Sequence, residues 1–67
     1  MRRYKGNMAG QRYLGNTSKN QVHDLDNEKT GKNECQVDEI ITAGHDKPFT
    51  SLDDAHNAGY DDCDYCL

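Results

Sequence analysis

Three cysteines and an upstream histidine constrain this chain more than any other feature. Cys63 and Cys66 form a Cys-x-x-Cys pair, Cys35 precedes them, and His23 precedes all three. A Cys-x-x-Cys turn aims two sulfurs at one point. Structural zinc takes four such ligands, with thiolates at about 2.3 Å and imidazole at about 2.0–2.1 Å. In a short chain such a site decides whether anything folds. Ordering the backbone and side chains costs roughly 1.5 kcal/mol per residue, so small domains come out near zero on apolar burial alone. Only 33% of the 67 residues are hydrophobic, with no Trp and a single Phe. The candidate core is Leu14, Val22, Val37, Ile40, Ile41, Phe49, Leu52, Ala55, Ala58 and Tyr60. A staple is required: a disulfide, a metal or a partner chain.

The cysteine count selects among these. Three is odd, so a disulfide framework leaves one thiol over. No apolar h-region follows the N-terminal basic residues, so no signal peptide is read. No run approaches the roughly 20 apolar residues of a membrane span. The expected setting is a reduced, cytoplasmic one, and a metal is the expected staple.

Charge is distributed unevenly. Arg2, Arg3, Lys5 and Arg12 fall in the first twelve residues without an acid, whereas the remaining residues hold four bases against twelve acids. A basic arm can grip phosphate, but a basic, Gly-containing terminus is more simply a solvated tail. Residues 1–11 are therefore expected to be a disordered basic arm, and residues 12–67 a single folded domain. The acidic body argues against a nucleic-acid groove across it.

Within that domain, Gln11 to Leu25 reads as a hairpin. Tyr13 and Leu14 start a strand, Gly15 to Asn20 is rich in turn formers, and Gln21 to Leu25 alternates so that Val22 and His23 face opposite ways. Asp26 to Glu34 reads as a polar loop. Asp24, Asp26 and Glu28 suggest a calcium loop, but Lys29 stands where Gly is needed and Cys35 where Glu is needed, so calcium is rejected. Cys35 to Gly44 reads as a short helix, with Val37, Ile40 and Ile41 at i, i+3 and i+4 and Gly44 as its αL cap. Lys47 to Thr50 is extended, and Pro48 confines it to an edge. A second helix starts at Ser51 as N-cap, with Asp53 and Asp54 in its first turn, and stops at Gly59.

If Cys35, Cys63 and Cys66 supply three ligands, a histidine must supply the fourth. His23 is favoured because its strand lies beside the segment leading to Cys35, while His45 in a loop and His56 on the second helix remain candidates. A redox dithiol at Cys63 and Cys66 is the rival chemistry. It is disfavoured because that motif opens a helix in a βαβ unit, and here one residue follows it.

The pattern Tyr13-x-Gly15-Asn16-x-Ser18, His23, Cys35, Phe49-x-Ser51, Ala55, Gly59-Tyr60-x-x-Cys63-x-x-Cys66 resembles the Ada-type metal-binding domain, over roughly residues 13–66. The resemblance implies a bacterial module in which His23, Cys35, Cys63 and Cys66 hold zinc in that ligand order. It implies a small α+β domain, a short antiparallel sheet with one or two short helices around the zinc. Three departures bear on function. Eleven residues separate His23 from Cys35, where the family has three. His23 occupies the position of the family's methyl-accepting cysteine, and imidazole lacks the thiolate which that transfer requires. Asp61, Asp62 and Asp64 stand where the family often carries basic residues suited to phosphate.

These readings converge on a zinc-stabilised binding or scaffold module with no methyl-acceptor activity, not an enzyme. No Ser-His-Asp set, Gly-rich phosphate loop or paired carboxylates are legible. A protein partner of unspecified kind and a monomeric state are expected, with no membrane association. The alternative is nucleic-acid binding through Arg2, Arg3, Lys5 and Arg12, with Tyr4 and Tyr13 as stacking groups. A redox switch releasing zinc from Cys63 and Cys66 ranks third.

Overall fold

The runs Tyr13-Leu14-Gly15-Asn16 and Gln21-Val22-His23-Asp24 pair as the expected hairpin in the computed structural model, which describes residues 2–28 and 35–67. Strand β1 (Tyr13–Asn16) and strand β2 (Gln21–Asp24) are antiparallel, with Leu14 opposite His23 and Gly15 opposite Val22. The intervening turn is closed by Asn16, whose side-chain oxygen accepts from the Ser18 amide at 2.9 Å while its carbonyl accepts from the Asn20 amide at 2.7 Å. Asn20 adopts the left-handed conformation, with φ of 53°, that asparagine tolerates better than most residues.

A 3-10 turn follows at Leu25–Asn27, capped by the Asp24 side chain accepting from the Asp26 amide. Helix α1 (Val37–Thr42) begins two residues later than the sequence suggests, because Gln36 is left-handed with φ of 53° and offers no side-chain cap. It ends as expected, with Gly44 at φ of 78°. Strand β3 (Asp46–Phe49) carries Pro48 at the sheet edge. Helix α2 (Leu52–Asn57) is capped by Ser51, whose hydroxyl accepts from the Asp54 amide at 3.2 Å. Strand β4 (Asp61–Asp62) completes a four-stranded sheet in the order β3-β1-β2-β4.

The sheet is mixed, not purely antiparallel as the sequence suggests. β3 runs antiparallel to β1, but β4 runs parallel to β2. The reason lies in the connection: α2 carries the chain back across the sheet before β4, and such a crossover permits parallel pairing.

Alternation along the strands sends side chains to two separate cores. On one face Leu14 joins Met8, Leu25, Cys35, Val37, Ile40, Ile41, Cys63 and Cys66. On the other Val22, Phe49 and Ala55 are buried, with Tyr13, Leu52 and Tyr60 against them. Phe49 and Tyr60 meet edge to face with centroids 5.2 Å apart. Gly15 lies beneath them; a β-carbon there would come within 2.6 Å of the Phe49 ring, so the strand has room for glycine only.

The stretch expected to be a disordered arm lies against the body from residue 2 onward. Met8 is buried in the first core and Arg3 is buried among carboxylates. Asn7 binds the Asp46 carboxylate through its backbone amide at 2.7 Å, and the Gly10 amide donates to the Arg3 carbonyl at 2.9 Å. These contacts give the segment the long-range partners that a solvated tail lacks. From residue 29 to residue 34 the expected polar loop, including the Lys29 position used to reject calcium, lies outside the described residues.

Candidate metal centre

Each of the four candidate ligands reaches the site by a different structural device. His23 points to the sulfur-containing face because Val22 points to the other. Cys35 stands two residues before α1. Cys63 follows β4, and its amide donates to the Val22 carbonyl at 2.9 Å, which continues the β4–β2 pairing into the site. Cys66 closes the final turn, where the Leu67 amide donates back to the Cys63 carbonyl at 3.0 Å.

The ligand atoms of His23, Cys35, Cys63 and Cys66 all lie within 4.8 Å of one another, and all four residues are buried. Cys35 Sγ is 3.8 Å from Cys63 Sγ, and Cys66 Sγ is 3.9 Å from His23 Nδ1. Donors placed tetrahedrally about one zinc ion are separated by roughly 3.6–3.8 Å, given the usual bond lengths. A disulfide would need sulfurs at about 2.05 Å, and all three cysteines are free thiols. The spacing suits a shared ion.

The surroundings of these atoms point the same way. The Asp24 amide donates to Cys66 Sγ at 3.2 Å, a contact that stabilises a thiolate more than a thiol. Asn27 Nδ2 donates to the Cys66 carbonyl at 3.1 Å and fixes the turn from behind. His23 Nε2 is buried without a hydrogen-bond partner among the described residues. A buried imidazole left unpaired at Nε2, with a sulfur against Nδ1, fits a ring whose strong partner is a metal ion.

Burial pushes His23 below its ordinary value of 6.5, opposed by the nearby Glu28 charge, so the ring is neutral at pH 7. Neutral imidazole is the metal-binding form. Burial also pushes the Cys66 thiol up; the Asp24 amide opposes this, and the neighbouring Cys35 and Cys63 reinforce it. Three sulfurs this close resist ionising together without a cation among them, and a coordinated cation reverses that preference.

The competing histidines go elsewhere. His45 is exposed, with Nδ1 at 3.4 Å from Thr17 Oγ1, and His56 is exposed on α2 and paired with Asp62. Neither joins the cluster. His56 was expected on the helix and is there, but it faces outward. A polar cavity of about 480 Å³ borders the site, with His23, Cys35 and Cys63 on its wall and Lys19, Glu39 and Asp64 around them.

Two contributors to the site were not read from the sequence. Strand β4 positions Cys63, yet Asp61-Asp62 has no strand signal of its own. The Asp24 amide that meets Cys66 is a backbone group, invisible to a search for ligand side chains. No helix among the described residues is long and apolar enough to cross a membrane. No family model, curated protein or solved structure matches this chain.

Proposed function

We propose that this chain is a structural zinc-binding module acting as a small binding or scaffold protein, with His23, Cys35, Cys63 and Cys66 as the zinc ligands. The observation that carries this reading is the convergence of four buried ligand atoms within 4.8 Å. One imidazole and three thiolates suit zinc, and a shell closed by four protein ligands leaves no position for a water nucleophile or a substrate. The metal's contribution is then to folding. Zinc binding by small peptides is worth on the order of 10–16 kcal/mol at neutral pH, a scale that exceeds the deficit expected of two thin cores.

The likeness to the Ada-type domain supports the same ligand set, and it also supports the absence of methyl transfer, since His23 holds the acceptor position. The charge arrangement weighs against the nucleic-acid alternative. Arg2 pairs with Asp26 at 2.9 Å, Arg3 with Glu28 at 2.8 Å, Lys5 with Asp38 at 3.1 Å and Arg12 with Asp24 at 2.9 Å. Every basic group of the supposed arm already has a carboxylate, and phosphate would have to displace it.

Calorimetric titration of zinc into the reduced, metal-free protein tests the proposal, repeated in buffers of different ionisation enthalpy. Saturation at one zinc per chain with release of about three protons, one per thiol, is expected. Absence of saturable uptake, or uptake without proton release, would reject the site.

A further inference from the structure

Strand β2 meets the metal centre along one of its edges. β4 pairs there with Gln21 and Val22, and the Cys63 amide then donates to the Val22 carbonyl. One step further along the same edge, the Asp24 amide donates to Cys66 Sγ at 3.2 Å, so a sulfur takes the place of a strand carbonyl. Asn27 Nδ2 reaches the Cys66 carbonyl at 3.1 Å. The short segment 24–27 therefore holds Cys66 at both its sulfur and its backbone.

What fixes that segment is the Asp24 side chain. It is buried, and by strand alternation it leaves the sheet on the Val22 face, away from the sulfurs. Its Oδ1 accepts from the Asp26 amide at 3.0 Å and from Arg12 Nε at 3.0 Å, and its Oδ2 accepts from Arg12 Nη2 at 2.9 Å. A bidentate guanidinium–carboxylate contact fixes angle as well as distance. Arg12 is held in turn. Its carbonyl accepts from the Leu25 amide at 2.8 Å, and its guanidinium lies 5.2 Å from the Tyr13 ring centroid.

We propose that Asp24, clamped by Arg12, is a positioning residue for Cys66. Its carboxylate sets the direction of its own N–H and the start of the turn that carries Asn27. Neither the Asp24 nor the Arg12 side chain touches a ligand atom in this role. An N–H donor on a coordinated sulfur draws off electron density and leaves that sulfur a poorer nucleophile. The inference rests on the zinc reading above, and it gives Arg12 a role inside the molecule, not on an external polyanion.

The test treats the zinc-loaded protein with less than one equivalent of N-ethylmaleimide and locates the adduct in singly alkylated chains by peptide fragmentation. Amide hydrogen exchange is followed by NMR on the same samples. Arg12→Gln removes the clamp and leaves the Asp24 carboxylate to the Asp26 amide, while Asn27→Ala releases the Cys66 carbonyl. Both residues are exposed, so neither substitution empties a core. Lys47→Gln, the same charge change at an exposed position of β3, is the control. Arg12→Gln should speed Cys66 alkylation and Asp24 amide exchange by about tenfold, and Asn27→Ala should speed Cys66 alkylation by less. Cys63 alkylation and exchange of the Cys63 amide should stay unchanged in both variants, and the control should match the unaltered chain.

A general loosening of the fold would speed Cys63 and Cys66 together. Equal acceleration of the two, or a Cys66 rate matching the control in either variant, would overturn the proposal. If the unaltered chain takes up no zinc and its cysteines all react freely, the zinc reading itself fails. That outcome differs from protected sulfurs that ignore Arg12.

Discussion

The two cores on either side of the sheet are built on different principles. The aromatic side, Val22, Phe49 and Ala55 with Tyr13, Leu52 and Tyr60, is an ordinary if small apolar assembly, closed by an edge-to-face ring pair. The sulfur side contains more residues, but three of them are cysteines gathered around a buried imidazole, and a buried arginine lies in the segment beside it. Apolar burial explains the first. The second also buries Met8, Leu14, Leu25, Val37, Ile40 and Ile41, but it adds an imidazole and three sulfurs whose removal from water a bound cation would offset. The difference teaches that a chain this lean can set an ordinary apolar core on one face of its sheet and, on the other, a core whose His/Cys cluster is positioned to hold a metal.

The comparison is broken most severely by removing metal. Chelation of the zinc-loaded protein should unfold both sides together, because β1 and β2 are shared and a term on the order of 10–16 kcal/mol exceeds the stability of most small domains. Amide NMR dispersion reads this directly. Collapse of the spectrum is expected; dispersed signals from Tyr13, Val22 and Phe49 would mean the aromatic side stands alone. Phe49→Ala attacks the other side. It should cost about 3–5 kcal/mol, the usual range for emptying a buried aromatic site. Zinc stoichiometry should stay at one per chain while thermal stability falls, as calorimetry of the loaded protein would show. Loss of metal binding by Phe49→Ala would mean that the two cores cannot be separated.

The smallest effect concerns the N-terminal segment. Hydrogen bonds from Arg3, and then from Lys5, hold the Asp38 carboxyl down at about 2, against an ordinary value of 3.8. A depressed carboxylate stabilises the fold above its unfolded value, and that contribution is lost as pH falls toward the folded one. The window is therefore between about 4 and about 2. Carboxyl carbon NMR should place the Asp38 midpoint near the lower end, and Arg3→Gln should move it toward 3.8. An unshifted Asp38 in the unaltered chain would contradict the Arg3–Asp38 contact.

Much of this fold is legible because its signals are local. Asn16 and Asn20 mark the hairpin turn, Ser51 and Gly59 bracket α2, and the alternation of Val22 with His23 separates the two cores. The unread parts depend on partners far away in the chain. Asp61-Asp62 becomes a strand only because the Asp61 amide finds the Asn20 carbonyl and the Cys63 amide finds Val22, at 2.8 and 2.9 Å. No propensity of aspartate announces that. Arg3 meets carboxylates 25 and 35 positions away, a pairing with no periodicity to detect. The clustering side chains could be chosen from residue type, but the backbone amide of Asp24 that meets Cys66 could not.

X-ray absorption at the zinc edge of the loaded protein addresses the central claim most directly. One nitrogen at about 2.0–2.1 Å and three sulfurs at about 2.3 Å are the predicted shell. A shell of oxygens and nitrogens, or one short of three sulfurs, would contradict it.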